Sequence, residues 1–353
     1  MRFLVTGGAG FIGSRIALRL RSKGYEVIVL DNLSRFDILG KGYLRALEHS
    51  LNLLKEHGIK IARGDIRRYS DVLEASEGVE CIVHAAAQVA VTTSLRDPRL
   101  DFEINALGTL NVLEAARVRD ACVLYTSTNK VYGENVNKIP LVEKETRYEY
   151  ADPAFREGIP EDFPVDLTGH TPYGASKLAA DLYVQDYHHS YGLRTGVFRM
   201  SCIYGEGQFG VEDQGWVAWF AIATIMRKEI TIYGNGKQVR DILHIEDLVD
   251  AVEKFIFSEN VGVFNIGGGV ENGISLLELL KLLEDLTRTR PRVSFTTWRK
   301  SDQKVYISNI RKAKESLGWK PKIGVKEGIK RLVIWVMNNR DLFENYHRKT
   351  INI

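Results

Sequence analysis

The sequence predicts an α/β protein built on a doubly wound parallel sheet, with a smaller C-terminal domain. Three observations predict it. A glycine cluster, Thr6-Gly7-Gly8-Ala9-Gly10-Phe11-Ile12-Gly13, directly follows the apolar run Arg2 to Thr6. Apolar strand-like runs then alternate with longer helix-like segments through the first half of the chain, the pattern of repeated βα units. Tyr173 and Lys177 are spaced i,i+4, so on a helix their side chains share one face.

Arg2 to Thr6 reads as a buried strand and Ser14 to Ser22 as an amphipathic helix. Between them Gly7 permits a sharp turn, Gly10 lets backbone approach a pyrophosphate, and Gly13 lets the helix pack on the strand. The helix N-terminus turns its N–H groups and positive dipole end toward phosphate. A second strand, Glu26 to Leu30, ends in Asp31, an acid at the distance where Rossmann-type sites hold the adenosine ribose. The expected dinucleotide site therefore joins Gly7, Gly10, Phe11, Ile12 and Gly13 with Asp31, Asn32 and Ser34. Asp31 would repel the extra phosphate of NADP; Arg35 nearby would favour it, and NAD is the expected cofactor.

Ile59 to Gly64, Cys81 to Ala85 and Val123 to Ser127 read as further parallel strands. Ligands of such sheets bind beyond the carboxyl ends of the strands. Asp65 and Ile66 would meet the adenine there, Ala85, Ala86 and Ala87 leave room for the cofactor, and Thr126-Ser127-Thr128 brings hydroxyls to the same edge.

After Val197-Phe198-Arg199 the pattern loosens, with glycine-rich turns at Gly205 to Gly210, Gly234 to Gly236 and Gly267 to Gly269. Residues 1–200 are read as the NAD-binding domain and 201–353 as a smaller substrate-binding domain, with about 241–257 returning to the main sheet. Residues 142–170, acidic and carrying three prolines, form a lid, a pocket wall or a plain solvated loop.

Composition narrows the function. A net charge of +3 in 353 residues gives no nucleic-acid footprint. Three scattered cysteines, Cys81, Cys122 and Cys202, suggest no disulfide framework and suit a reducing cytoplasm. A strand beginning at residue 2 is expected to leave no room for a signal peptide, and no apolar run approaches membrane-spanning length. No metal-ligand spacing is evident: adjacent His188 and His189 would diverge on a helix.

A free Tyr titrates near 10 and is a poor base at neutral pH. A neighbouring ammonium and a positive nicotinamide ring would favour the phenolate of Tyr173. With Thr128 and the glycine cluster, these residues bring the chain to a recognisable group. Nearly its whole length resembles the extended short-chain dehydrogenase/reductases, and within them the nucleotide-sugar epimerases and dehydratases. The resemblance implies a Thr128, Tyr173 and Lys177 triad, with Ser127 the neighbouring candidate, and an Asn105 that lines the cofactor.

A narrower likeness is carried by six dispersed segments, among them Gln88-Val89-Ala90-Val91-Thr92-Thr93-Ser94, Ser127-Thr128-Asn129-Lys130 and Asp213-Gln214-Gly215-Trp216. It is to 2-epimerases of CDP-linked 3,6-dideoxyhexoses. It implies a nucleotide-diphospho-sugar substrate, Arg240 and Arg299 as diphosphate clamps, and Gln88, Thr92, Thr93, Asn129, Tyr148 and Trp216 around the sugar. Cys202 departs from the wider family, where many members carry a substrate-contacting Asn. Related enzymes pair through helices, here roughly Leu100 to Arg117 and Tyr173 to Tyr191, which implies a homodimer or homotetramer.

The reaction turns on Asn129 and Lys130. Related dehydratases carry an Asp-Glu pair there; an amide cannot do general acid/base chemistry, and a Lys in the second place is the wrong partner for that job. The expected reaction is therefore epimerisation at C2 through a transient 2-keto sugar. A 4-epimerase is the runner-up, a 4,6-dehydratase falls behind it, and a cofactor-sensing protein without turnover would be expected to have broken the triad.

Overall fold

A computed structural model describes residues 1–34, 44–299 and 301–344. Strands Arg2–Thr6 (β1), Glu26–Asp31 (β2), Lys60–Arg63 (β3), Cys81–His84 (β4), Cys122–Thr128 (β5), Thr195–Met200 (β6) and Gly262–Ile266 (β7) form one sheet. Every neighbouring pair is parallel, in the order β3-β2-β1-β4-β5-β6-β7. The winding reverses between β1 and β4, which opens a crevice at their carboxyl ends. This is the Rossmann-type fold that the βα pattern predicts. Successive residues feed opposite cores: Phe3 and Val5 of β1 pack on one side and Leu4 on the other. Burial on both faces explains why these strands read as continuous apolar runs.

Helix α1 (Phe11–Ser22) begins three residues before the expected Ser14, because Gly10 is its N-cap and Gly13 lies inside its first turn. α1 packs on one face of the sheet together with α4 (Ile245–Ile256), tied to it by Arg19 at 2.8 Å from Asp250 and 3.2 Å from Glu253. Helices α2 (Gly108–Arg119) and α3 (Thr171–Tyr191) cover the other face through Val112, Ala116, Ala180 and Val184.

The segment at about 241–257 returns to the main sheet through a helix and not through a strand. α4 does pack there, but the strand before it, Val239–His244, pairs with Cys202–Tyr204, Gly273–Ser275 and Val305–Tyr306 in a separate sheet. The strand that joins the main sheet is β7, beside β6. A second core gathers helices Trp216–Ile225, Leu276–Thr287 and Val325–Asn338 around Phe220, Ile222, Leu283, Leu332 and Val336.

Residues 142–170 are more ordered than an acidic loop. Leu141–Glu143 and Tyr148–Tyr150 form a hairpin. Tyr148 N donates to Lys237 O (2.9 Å), and Ile159 bridges to Ser308. Ile159, Phe155 and Phe163 pack around Tyr132 and Tyr306, so the segment is stitched to the later half of the chain. Among the described residues no helix is long and apolar enough to cross a membrane.

Candidate active site

The turn after β1 is shaped for close backbone approach. Gly7 has φ 65°, and a β-carbon there would lie 2.6 Å from Ala86 Cα in the loop after β4. A β-carbon on Gly13 would run into the Gly7 carbonyl oxygen. No side chain caps the N-terminus of α1, so its first N–H groups can serve a pyrophosphate. Asp31 ends β2 beside this turn, its carboxylate accepting from Ala9 N (3.0 Å) and Leu33 N (2.8 Å). Asn32 donates to Asp65 (3.0 Å) and accepts from the Ser34 hydroxyl (2.8 Å). These residues border a cavity of about 490 Å³ lined by Asn32, Gly64, Asp65, Arg67, Glu103 and Leu107. Burial would raise the Asp65 carboxyl, but hydrogen bonds from Arg67 and Asn32 outweigh it and hold it at about 2. The cradle fits a dinucleotide; Arg35 lies outside the described residues.

Thr128 ends β5, while Tyr173 and Lys177 stand on the first turns of α3. All three are buried, and the Thr128 hydroxyl and Tyr173 phenol are hydrogen-bonded. Burial pushes the phenol up to about 12, against the Thr128 bond. The expected lowering by Lys177 is therefore not what dominates. The ammonium turns to Thr126 O (2.7 Å) and lies 4.2 Å from the centre of the Tyr125 ring. Burial draws it down to about 7, against Asp181 and Asp101. Behind it His84 is clamped between the hydroxyls of Thr6 (2.6 Å) and Thr109 (3.0 Å). Burial, and then Lys177, pull this imidazole down to about 3 and keep it neutral.

On the far side of the crevice Lys130 and Arg240 reach the same carboxylate oxygen of Asp302, at 3.6 and 2.8 Å. Arg299 lies 4.0 Å over the Tyr233 ring and donates to Asp213 at 3.1 Å. Trp216 donates its indole N–H to the Cys202 sulfur (3.3 Å).

Comparison with known proteins fits this geometry. Residues 4–332 match the family described as GDP-mannose 4,6-dehydratase. The chain belongs to that family. It is 42% identical to CDP-paratose 2-epimerase of Salmonella typhi, over 95% of this chain and 99% of that one. Among solved structures it resembles UDP-glucose 4-epimerase of Thermotoga maritima with UDP-glucose, at 31% identity and TM-score 0.81, covering 96% and 100% of the two chains. The UDP-glucose 4-epimerase of Thermus thermophilus in complex with NAD gives 32% identity and TM-score 0.78 over 96% and 100%.

In this member of the GDP-mannose 4,6-dehydratase family several expected contact residues have their polar atoms engaged internally. Asn105 sits in a π-helical turn, Glu103–Leu107, and donates to Gln88 O (3.0 Å) and Ser176 Oγ (3.0 Å) while accepting from Gln88 N (2.9 Å). Gln88 donates to Asp101 (2.6 Å) and Ala90 O (3.0 Å). Both amides brace the loop after β4 against α3. Ser127 donates to Asp181 (2.8 Å), on the other side of β5 from Thr128, as strand alternation requires. Asn129 donates to Gln303 (3.0 Å), and the Tyr148 phenol accepts from Asn235 (2.7 Å). Phe11 and Ile12 pack into the core beneath the cradle. Ile66 fills the space beside Gly108. Ala85 and Ala86 hold the loop to Thr6 through their N–H groups (3.2 and 3.3 Å), with Ala87 following. Thr93 accepts from Arg96 (3.4 Å), whereas the Thr92 hydroxyl is buried without a hydrogen-bond partner, a donor suited to a sugar oxygen. Two charged residues go beyond the sequence reading. Lys130 figures there as part of a motif and as the absence of an acid, with no role of its own, and Asp302 lies in an irregular stretch with no motif.

Proposed function

We propose that this epimerase inverts C2 of a CDP-linked 3,6-dideoxyhexose, interconverting CDP-paratose and CDP-tyvelose, with NAD as its resident cofactor. The observation that carries the choice of C2 and of CDP is the 42% identity to CDP-paratose 2-epimerase, which extends over nearly the whole of both chains. The site is compatible with it. Hydride acceptance and return at the sugar carbon is the chemistry that NAD supplies when bound. Gly7, Gly10 and Gly13 with the open end of α1 hold the pyrophosphate, and Asp31 holds the adenosine ribose. Thr128 orients the C2 hydroxyl and Tyr173 takes its proton. A phenol held near 12 needs positive charge beside it to act as a base. Lys177, one helical turn away, meets the nicotinamide ribose and supplies part of that charge. The resulting 2-keto sugar turns over within the pocket, and Tyr173 returns the proton to the oxygen as the hydrogen comes back on the other face. Thr92, Thr93 and Trp216 line the sugar, and Arg240 and Arg299 take the diphosphate, so residues 201–353 supply the nucleotide-sugar side and 1–200 the cofactor side. The enzyme works as a homodimer or homotetramer.

Asn129 and Lys130 are not carboxylic acids, so the site offers no acid–base pair of the dehydratase kind. The C2 hydrogen accordingly never exchanges with water. Turnover of the CDP-sugar in heavy water, followed by NMR, should give inverted C2 that keeps its protium. Solvent deuterium at C2 would mean proton abstraction, and inversion only at C4 would make the chain a 4-epimerase.

A further inference from the structure

Asp302 is one carboxylate facing three cations. Lys130 and Arg240 share its Oδ1 at 3.6 and 2.8 Å, and the charge of Arg299 acts on it as well. Burial would raise this carboxyl, but the three cations together hold it below its ordinary range. A structural ion pair in a protein interior is matched charge for charge, because an unmatched buried cation is costly. Here Arg299 is matched by Asp213 (3.1 Å), which leaves Lys130 and Arg240, two cations, on the one carboxylate of Asp302. Arg240 is 8% exposed, while Lys130 and Asp302 remain 24% and 21% exposed, so a ligand can reach the shared oxygen's position. Lys130 also lies next to Thr128 in the chain, and its backbone N–H donates to the Thr128 hydroxyl oxygen (3.3 Å).

We propose that Lys130 is a third phosphate-binding residue, holding the phosphate nearest the sugar, and that Asp302 occupies this position as an internal anion which the substrate's diphosphate displaces. This rests on the nucleotide-sugar reading above. Displacement exchanges a single carboxylate for a doubly charged diphosphate, whose oxygens accept charge-assisted bonds from ammonium and guanidinium together. It also makes the site selective, because a ligand without the diphosphate leaves Asp302 in place.

The test is calorimetric titration of the full-length, NAD-loaded protein with CDP, inorganic pyrophosphate and cytidine. Asp302→Asn should bind CDP and pyrophosphate about tenfold more tightly than the wild type, and Lys130→Met about tenfold more weakly, the scale of one charge-assisted contact. Cytidine binding should be unchanged in both. Equal or weaker CDP binding by Asp302→Asn would mean that Asp302 merely fixes the cations, and would overturn the proposal. Unchanged CDP affinity in Lys130→Met would overturn it independently, even if the first variant folds poorly. A wild-type protein that retains NAD but binds no nucleoside diphosphate would remove the functional reading, and this inference with it.

Discussion

Tyr173 shows how far a residue's chemistry depends on what surrounds it. Burial pushes its phenol to about 12, against the Thr128 bond, so the proposed role as a base would rely on positive charge brought beside it by Lys177 and a bound nicotinamide. Tyr173→Phe should leave folding and NAD binding largely intact and lower turnover by about 10²–10⁴-fold; near-normal turnover would remove Tyr173 from the mechanism. Asp241, beside Arg240, makes a pH prediction. It is fully buried, and burial raises its carboxyl to about 6 despite hydrogen bonds from Ser201 and from the Ser308 and Gly269 backbone. A carboxyl raised in the folded state binds its proton more tightly there than in the unfolded chain. Its contribution is therefore fully present below about pH 4 and lost as pH rises through about 6, by about 3 kcal/mol. Asp241→Asn should lack this loss. Urea midpoints at pH 4 and pH 7 should show the variant gaining on the wild type as pH rises, and a pH-independent difference would refute the assignment.

α1 and the turn before it form the element on which the cofactor site stands. The first turn of the helix touches the backbone of the preceding turn, so the cradle has no room for a side chain at Gly13. Gly13→Ala should force α1 away from β1, destabilise the fold by about 1–3 kcal/mol and weaken NAD binding. Thermal unfolding together with NAD titration checks this, and an unchanged melting temperature with unchanged affinity would mean the helix shifts freely. Helix α3, which carries Tyr173 and Lys177, is held differently. Ser176, next to Lys177, donates to Asp101 (2.5 Å), which also accepts from Gln88 (2.6 Å) and Asn105 (3.3 Å). Burial raises the Asp101 carboxyl, and these bonds oppose the rise. The helix thus carries Tyr173 and Lys177 together with a contact that fixes their distance from the loop after β4.

For the molecule as a whole, large apolar side chains remain on the outer surface of α3 and the segment before α2. Leu182, Tyr183 and Tyr191 are 51%, 48% and 55% exposed, and Phe102 is 55% exposed. Burial of these faces against a second copy through a twofold axis is the expected assembly. Light scattering at micromolar concentration should give at least a dimer, and Leu182→Lys should shift it toward monomer. A monomeric wild type would contradict the assembly.

The first five strands of the main sheet, the glycine turn and the i,i+4 pair of Tyr173 and Lys177 were legible in the sequence because each is local. Backbone sterics, side-chain period and chain adjacency dictate them without reference to distant residues. The direction of the Lys177 ammonium, the internal engagement of Gln88, Asn105 and Ser127, and the destination of Val239–His244 were not legible. Each depends on which partner the fold brings near, and a polar side chain buried in the fold takes whichever hydrogen bond is at hand. The cluster at Asp302 is the extreme case. Lys130, Arg240 and Asp302 are far apart along the chain, and only the tertiary structure decided that the two cations meet one carboxylate, since charge interactions follow distance in space and not along the sequence.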